Sequence, residues 1–151
     1  MDKKILFSSH RIKFRLSQQR KISEWITSVV QQEDSAIEHL SFIFCSDNYL
    51  LGINRDFLQH DYYTDIITFG LGSKKLLNGE IYISIDRIRE NAKTFKVPVQ
   101  EELQRVIIHG VLHLLGYTDK SPKQKRQMTD KENWCLSLRH VSRGTAGVTK
   151  R

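Results

Sequence analysis

The chain has 151 residues, and its 24 Lys and Arg outnumber its 17 Asp and Glu to give a formal net charge of +7. This length suits one domain with a sizeable core, and the positive charge favours polyanionic partners such as nucleic acid. The sequence contains no apolar run near the roughly 20 residues that cross a bilayer, no signal-peptide pattern and no disulfide framework for Cys45 and Cys135. We therefore expect a cytoplasmic protein without a membrane partner.

Hydrophobic spacing predicts a mixed α/β (α+β) fold with about four strands and five or six helices. Residues 1–139 should form a single domain, and residues 140–151 a flexible basic tail. In chain order, the predicted elements are a strand at residues 5–7 that the alternation at 12–16 continues or replaces, a helix at 18–32, a strand at 39–45, a helix at 46–58, a strand at 64–69, a turn at 74–79, a strand at 80–85, and helices at 86–95, 99–115 and 122–139.

Local signals refine some of these elements. Ser17 is a good N-cap for the first helix, and Ser46 with Asp47 caps the second, on whose polar side we place Asn54. The strands at residues 64–69 and 80–85 are close enough along the chain to pair across their connection.

Residues 109–119 follow the pattern HxxxHxxGxxD, which predicts a metal site. His109 and His113 share one face of the long helix because they are four residues apart. Gly116 can adopt the left-handed conformation that ends a helix, so that the chain turns back and presents Asp119. Two imidazoles and one carboxylate suit zinc and leave a fourth position for water. We therefore predict one catalytic Zn²⁺ per chain, against the alternative of an ordinary histidine pair.

Zinc-activated water can hydrolyse amides or phosphodiesters, and the neighbouring residues favour one of these reactions. Metallopeptidases with the HExxH pattern carry Glu directly after the first His as general base, whereas this chain has Gly110. The missing base and the positive charge favour phosphodiester hydrolysis in nucleic acid. A metal-dependent peptidase or amidase with another base, and a non-catalytic ribosome-binding protein with a structural metal, remain the alternatives.

Two segments carry most of the surplus positive charge. Residues 1–21 contain seven Lys and Arg against one Asp, and a second basic run at residues 120–131 follows directly on Asp119. Either run could be a solvated surface or a patch that faces RNA.

The sequence also resembles the YbeY family of bacterial rRNA maturation factors. The resemblance rests on the residues from His109 to Tyr117, on Thr64 to Phe69 and on Gly79 to Ser84, and it extends to Met128 and Glu132. It implies a zincin-like fold, a zinc ion held by three residues, and single-strand endoribonuclease activity in 16S rRNA processing and ribosome quality control. The implied partners are rRNA, the small ribosomal subunit and its associated factors, but not DNA.

Three positions depart from the family pattern. Asp119 stands where the family usually has a His ligand, and Glu80 stands where it usually has Asp. Leu58 aligns with an Arg that many members carry, and an Arg can contact phosphate through two parallel hydrogen bonds.

Several residues are candidates for the remaining catalytic roles. Arg105 or Arg55 could replace the phosphate-binding Arg, although Arg105 is also placed for an ordinary pair with Glu101 four residues earlier. Thr68 could orient the substrate, and His60 could act as a base from its loop.

Two further roles concern proton transfer and the turn after the long helix. Asp65 or Glu80 could assist proton transfer, since each is a carboxylate in one of the two strands that carry the resemblance. Tyr117 should support the turn through its ring.

Overall fold

The computed structural model describes residues 3–141, with side chains described as far as Arg139. Within this range the chain forms four strands and five helices, which confirms the predicted mixed α/β class. In chain order they are β1 (Ile5–Ser9), α1 (Gln19–Gln32), β2 (Ala36–Cys45), α2 (Asp47–Leu58), β3 (Ile66–Gly70), β4 (Leu76–Ser84), α3 (Ile85–Phe95), α4 (Val99–Leu114) and α5 (Pro122–Val141).

The four strands form one mixed sheet in the order β1-β2-β4-β3. β1 and β4 each pair with β2 in parallel, whereas β3 pairs with β4 in antiparallel orientation. The last pairing confirms the predicted hairpin, in which Thr68 lies opposite Ile81 and Phe69 lies opposite Glu80. β3 is therefore an edge strand of this sheet, and one of its sides is free to border a cleft.

The two faces of the sheet pack against different helices. The main core joins one face to the apolar sides of α1, α4 and α5, and its members include Ile26, Phe42, Ile81 and Ile107. A smaller cluster on the other face joins Cys45 and Ile67 to Leu50 and Ile53 of α2. Side chains alternate between faces along a strand, so the residue number decides whether a β3 or β4 side chain faces α4 or α2.

The structure corrects the prediction for residues 12–16, which form no strand. The backbone N–H of His10 still bonds to the carbonyl of Phe44, but Arg11 has a left-handed φ of 59° that turns the chain away from the sheet. The alternation arises because Leu16 is buried and Ile12 and Phe14 pack against the core without strand pairing.

Several element boundaries also differ from the predictions. Gln18, in a left-handed conformation, precedes α1 as its N-cap, and the hydroxyl of the predicted cap Ser17 instead accepts a hydrogen bond from Gln100. β4 begins at Leu76, inside the predicted turn, because its first residues pair with β2. The backbone of α5 continues to Val141, and the rest of the predicted tail lies outside the described residues.

Both cysteines are free and buried, as expected for a chain without a disulfide framework. Burial raises the pKa of the Cys45 and Cys135 thiols to about 12, so both stay protonated near neutral pH. Among the described helices, none combines the length and the apolar character that a membrane span requires.

Candidate metal centre

Helix α4 and the turn after it bring the predicted ligands together. His109 and His113 lie one turn apart in the last part of α4. Gly116 has a φ of +107°, and the backbone N–H groups of Gly116 and Tyr117 bond to the carbonyls of His113 and Leu112. This helix end reverses the chain and places Asp119 beside both imidazoles, as the glycine predicted.

The three ligand atoms form a nearly equilateral triangle. The two Nε2 atoms of His109 and His113 are 3.0 Å apart, and the Asp119 Oδ2 atom lies 3.4 Å from the first and 3.5 Å from the second. Tetrahedral ligands at zinc bond lengths of 2.0–2.1 Å are about 3.3 Å apart, so the triangle fits one ion. The carboxylate side chain is 37% exposed, which leaves the fourth direction open to solvent.

Glu132 from α5 holds His109 in place. One carboxylate oxygen, Oε2, accepts the Nδ1–H of His109 at 2.5 Å, and the other, Oε1, accepts a hydrogen bond from Arg105 at 2.9 Å. Because the proton of neutral His109 then sits on Nδ1, its Nε2 lone pair points towards the other two ligands. A carboxylate behind a metal-binding His orients the ring and raises its basicity.

Both terminal guanidinium nitrogens of Arg105 have partners in this arrangement. Its second guanidinium nitrogen donates to the Asn133 side chain at 2.7 Å, so the partners of Arg105 are on α5. The alternative pairing with Glu101 is wrong, because Glu101 pairs with Arg139 instead. Arg105 thus lies behind the histidines and supports Glu132.

The two imidazoles differ in pKa. Burial acts against a charged His109, but the hydrogen bond and negative charge of Glu132, with Asp119 and Asp65 nearby, outweigh it and raise the pKa of His109. Burial and the neighbouring His109 lower the pKa of His113, with Asp119 opposing them. The lowered pKa of His113 favours its neutral form, which is the form that binds a metal.

A network of buried polar groups extends behind Glu132. Glu102 is 5% exposed and Glu132 is 7% exposed. The Asn91 amide donates to Asp65 at 3.3 Å and to Glu102 at 3.5 Å. Burial, more than any other cause, raises the pKa of the Asp65 and Glu102 carboxyl groups, and their mutual repulsion adds to the effect at Glu102.

Gly110 stands where HExxH peptidases carry their Glu base, and it also has a packing role. A Cβ atom at this position would lie 2.9 Å from Ile66 Cδ1 and 3.1 Å from Ile81 Cγ2. Position 110 therefore faces the sheet, and α4 approaches β3 and β4 closely because residue 110 has no side chain.

A cleft of about 960 Å³ opens in front of the ligands and runs beside β3. His113 and Asp119 line it, together with Thr68 and the loop residue His60, two predicted site residues. Thr68 shares the α4 side of the sheet with its partner Ile81, so its hydroxyl lies on the same side as the histidines.

The loop that carries His60 is held by a residue that sequence reasoning placed on the polar side of α2. Asn54 is only 2% exposed, and its side-chain amide donates to the Tyr62 backbone carbonyl at 2.9 Å. The backbone carbonyl of Asn54 accepts a hydrogen bond from the His60 backbone N–H at 3.0 Å. Tyr62 stacks on His60 with ring centroids 5.2 Å apart and 19° between the ring planes. The sequence shows only a single Asn near the end of a helix, which gives no local signal for this contact.

Two candidates lie away from the ligands. Glu80 is on the α2 side of β4, where Tyr82 donates to it at 3.2 Å, so the sheet separates its carboxylate from the histidines. Arg55 pairs with Asp61 at 2.8 Å on the surface, and Leu58 borders the cleft with no charge.

Tyr117 supports the turn after α4, as predicted. Its ring packs against the main core, and its hydroxyl donates to Glu33 at 2.9 Å. Glu33 also pairs with Lys131 of α5 at 2.7 Å, so one carboxylate ties the turn to α1 and α5.

The His pair on α4, the nearby carboxylate and the open cleft beside an edge strand form the arrangement that is typical of hydrolases that use a bound metal ion. The family model described as Endoribonuclease YbeY matches residues 4–139. The chain therefore belongs to the YbeY family of endoribonucleases, which confirms the resemblance seen in the sequence.

Individual relatives agree with this assignment. Proteins called Endoribonuclease YbeY from Cytophaga hutchinsonii and Flavobacterium psychrophilum are 48% and 46% identical to this chain, over 89% and 88% of its length and 95% of theirs. The solution structure of a Thermotoga maritima protein has the same fold, with a TM-score of 0.65 and 25% identity over 97% of this chain and 99% of that one.

Proposed function

We propose that this protein is a zinc-dependent, single-strand-specific endoribonuclease that processes 16S rRNA and acts in quality control of the small ribosomal subunit in the cytoplasm. The observation that carries the proposal is the triangle of ligand atoms, 3.0, 3.4 and 3.5 Å on its sides, at the wall of an open cleft. Its size matches the tetrahedral spacing of zinc ligands, and the family supplies RNA as the substrate class.

The donor set favours zinc over the harder divalent cations. Mg²⁺ and Ca²⁺ prefer oxygen ligands, whereas two imidazoles with one carboxylate suit zinc. Zinc, when bound, lowers the pKa of its water to near 7 and so supplies a nucleophile at neutral pH.

The protein groups around the site have distinct proposed roles. Glu132 and Arg105 fix the ring of His109, so Arg105 acts as a positioning residue and makes no contact with phosphate. Thr68 and His60 border the cleft, where the Thr68 hydroxyl would orient the substrate and His60 would accept a proton. Asp65 is the proposed carboxylate for proton transfer, because it is near enough to His109 for their charges to interact, whereas Glu80 lies across the sheet.

The stack of His60 and Tyr62 supports the single-strand preference. Both rings border the cleft, and aromatic faces bind unpaired bases of any identity by stacking. Bases in an A-form duplex are already stacked and are not accessible to such faces. We therefore expect Tyr62→Ala to weaken binding of single-stranded RNA, with Tyr63→Ala as control, since Tyr63 instead contacts Asn48 and Arg87.

The proposed activity is tested by cleavage of a labelled single-stranded 16S rRNA fragment and of the same sequence as a duplex. Metal-free protein, zinc-loaded protein and zinc-treated His113→Ala should be compared. We expect only the zinc-loaded wild-type protein to cleave, and only the single strand. Equal cleavage by all three preparations would refute the proposal, and zinc-independent binding without cleavage would favour a non-catalytic rRNA-binding factor.

A further inference from the structure

The cleft is unusually poor in positive charge for a site that binds a polyanion. Among the described residues that line it, Lys74 is the only Lys or Arg. The nearby cations are engaged elsewhere, because Arg105 binds Glu132 and Asn133 behind the ligands and Arg55 binds Asp61 on the surface. The net charge of +7 therefore lies largely outside the cleft.

Lys74 lies against Gly116, in the turn that leads from His113 to Asp119. A Cβ atom at Gly116 would be 2.8 Å from Lys74 Cε and 3.2 Å from its Nζ, so the end of this side chain crosses the glycine. Gly116 directly precedes the short turn to Asp119, and both residues line the cleft with Lys74. Substitution at Gly116 would displace the lysine.

The backbone of Lys74 is held in place by a hydrogen bond, while its ammonium group can bind a ligand. Its carbonyl accepts a hydrogen bond from the Ser35 hydroxyl at 2.6 Å, which anchors the β3–β4 connection to the segment before β2. Within residues 3–139, whose side chains the structure describes, no carboxylate forms an ion pair with Lys74. A lysine ammonium is a compact point charge that suits a phosphate oxygen.

We propose that Lys74 binds a phosphate group of the RNA strand next to the metal centre. This inference rests on the proposed nuclease function and names the residue that offsets the substrate's negative charge within the cleft. Asp119 contributes a carboxylate to the same cleft wall, and in the metal-free protein this carboxylate repels a phosphodiester. Lys74 is the only Lys or Arg among the described lining residues that can offset this repulsion.

The test uses full-length Lys74→Met, which keeps the aliphatic stem over Gly116 but removes the charge. Lys74→Arg restores the charge, and Lys75→Met is the matched control, because Lys75 is adjacent, contacts the Asp34 carbonyl and does not line the cleft. Binding of metal-free protein to a fluorescent single-stranded oligonucleotide is measured over a range of salt concentrations, and kcat and KM are measured with zinc.

We expect Lys74→Met to raise the Kd about ten-fold and to reduce the salt slope by about 0.7, the loss of one phosphate contact on a single strand. KM should rise by a similar factor, and Lys74→Arg should restore both values to within about three-fold. Lys75→Met should match the wild type.

If Lys74→Met and Lys75→Met bind and cleave alike, the inference is wrong even when the wild-type protein is an active nuclease. If the wild-type protein does not cleave with zinc, the proposed function fails, and the binding measurements alone then support or overturn the role of Lys74. The two failures are therefore distinguishable.

Discussion

The two sides of His109 differ in how their polar groups are satisfied. Behind the ring, Glu132 accepts hydrogen bonds from Arg105 and His109, and Asn91 donates to Asp65 and Glu102, so each of these carboxylates has a hydrogen-bond donor. In front, His113 and Asp119 line an open cleft, and their Nε2 and Oδ2 atoms lie 3.5 Å apart.

This difference distinguishes the residues that position His109 from the residues that would bind the metal. The buried side holds one imidazole in a fixed tautomer and orientation, and such supporting contacts tune ligand basicity. The exposed side presents lone pairs that only an ion or a solvent molecule can satisfy. Substitutions of the cleft-facing residues should therefore affect metal and RNA binding, whereas substitutions of the buried residues behind His109 should also affect stability.

The largest expected effect is in front, at Asp119. Asp119→Ala removes one of three ligands, and we expect zinc affinity to fall at least about 100-fold, because the loss of a direct ligand exceeds the 10- to 100-fold effect of losing a supporting contact. Asp119→His, which restores a ligand atom, should retain one zinc ion per chain. Competition with a chromophoric chelator measures both. Unchanged affinity in Asp119→Ala would remove this residue from the site.

The next effect is behind His109, at Glu132. Glu132→Gln keeps the shape but removes the charge that supports His109 and Arg105, so zinc affinity should fall about 10- to 100-fold. Asp130→Asn, on the exposed side of the same helix, is the control and should bind zinc normally. A Glu132→Gln protein with wild-type affinity would show that the network does not support the metal.

Substitution of Gly110 tests whether α4 packs as tightly against β3 and β4 as the geometry indicates. Gly110→Ala forces Ile66 and Ile81 to move, and we expect a loss of about 1–3 kcal/mol in the free energy of unfolding. Gly52→Ala is the control, since position 52 of α2 has open space and should gain up to about 1 kcal/mol. Urea denaturation measures both values, and similar changes in the two variants would contradict this packing.

The smallest effect is predicted at Glu102. Its raised pKa means that the folded state binds more protons than the unfolded state at pH values above the ordinary value of 4.5, so its contribution to stability falls as pH rises through this window. Glu102→Gln should therefore be more stable than wild type by about 0.5–1 kcal/mol near pH 7.5, with little difference at pH 4.

The neighbouring Glu101 provides the matched control for this pH dependence. Its partner is Arg139, and its side chain is 39% exposed, so Glu101→Gln should be neutral or slightly destabilising at both pH values. Denaturation at the two pH values measures the difference. Destabilisation of Glu102→Gln near pH 7.5 would show that the charged carboxylate is favourable where it lies.

Much of the front of the site could be predicted from the sequence, because its members are close along the chain. One helix and one turn follow from the spacing of His109 and His113 and from the glycine before Asp119. The local geometry of that helix and turn then brings the three side chains together. Alternation likewise identified the hairpin of β3 and β4, whose partners are only a short connection apart.

Contacts that depend on tertiary packing could not be predicted in this way. Arg105 has an obvious local partner in Glu101, but α5 packs against α4 and brings Glu132 closer, a choice that depends on tertiary packing. Lys74 is in a polar turn with no periodic pattern, and only the fold places it across Gly116. Asn54 looked solvated because a single polar residue in a helix does not reveal which loop will cover it.

The most direct measurement is a crystal structure grown with Zn²⁺, with anomalous scattering data collected on both sides of the zinc absorption edge. We expect one anomalous peak per chain, bonded to His109 Nε2, His113 Nε2 and an Asp119 carboxylate oxygen, with Glu132 still bonded to His109 Nδ1. A peak at other residues, or a zinc-bound protein in which Asp119 points away from the ion, would contradict the account.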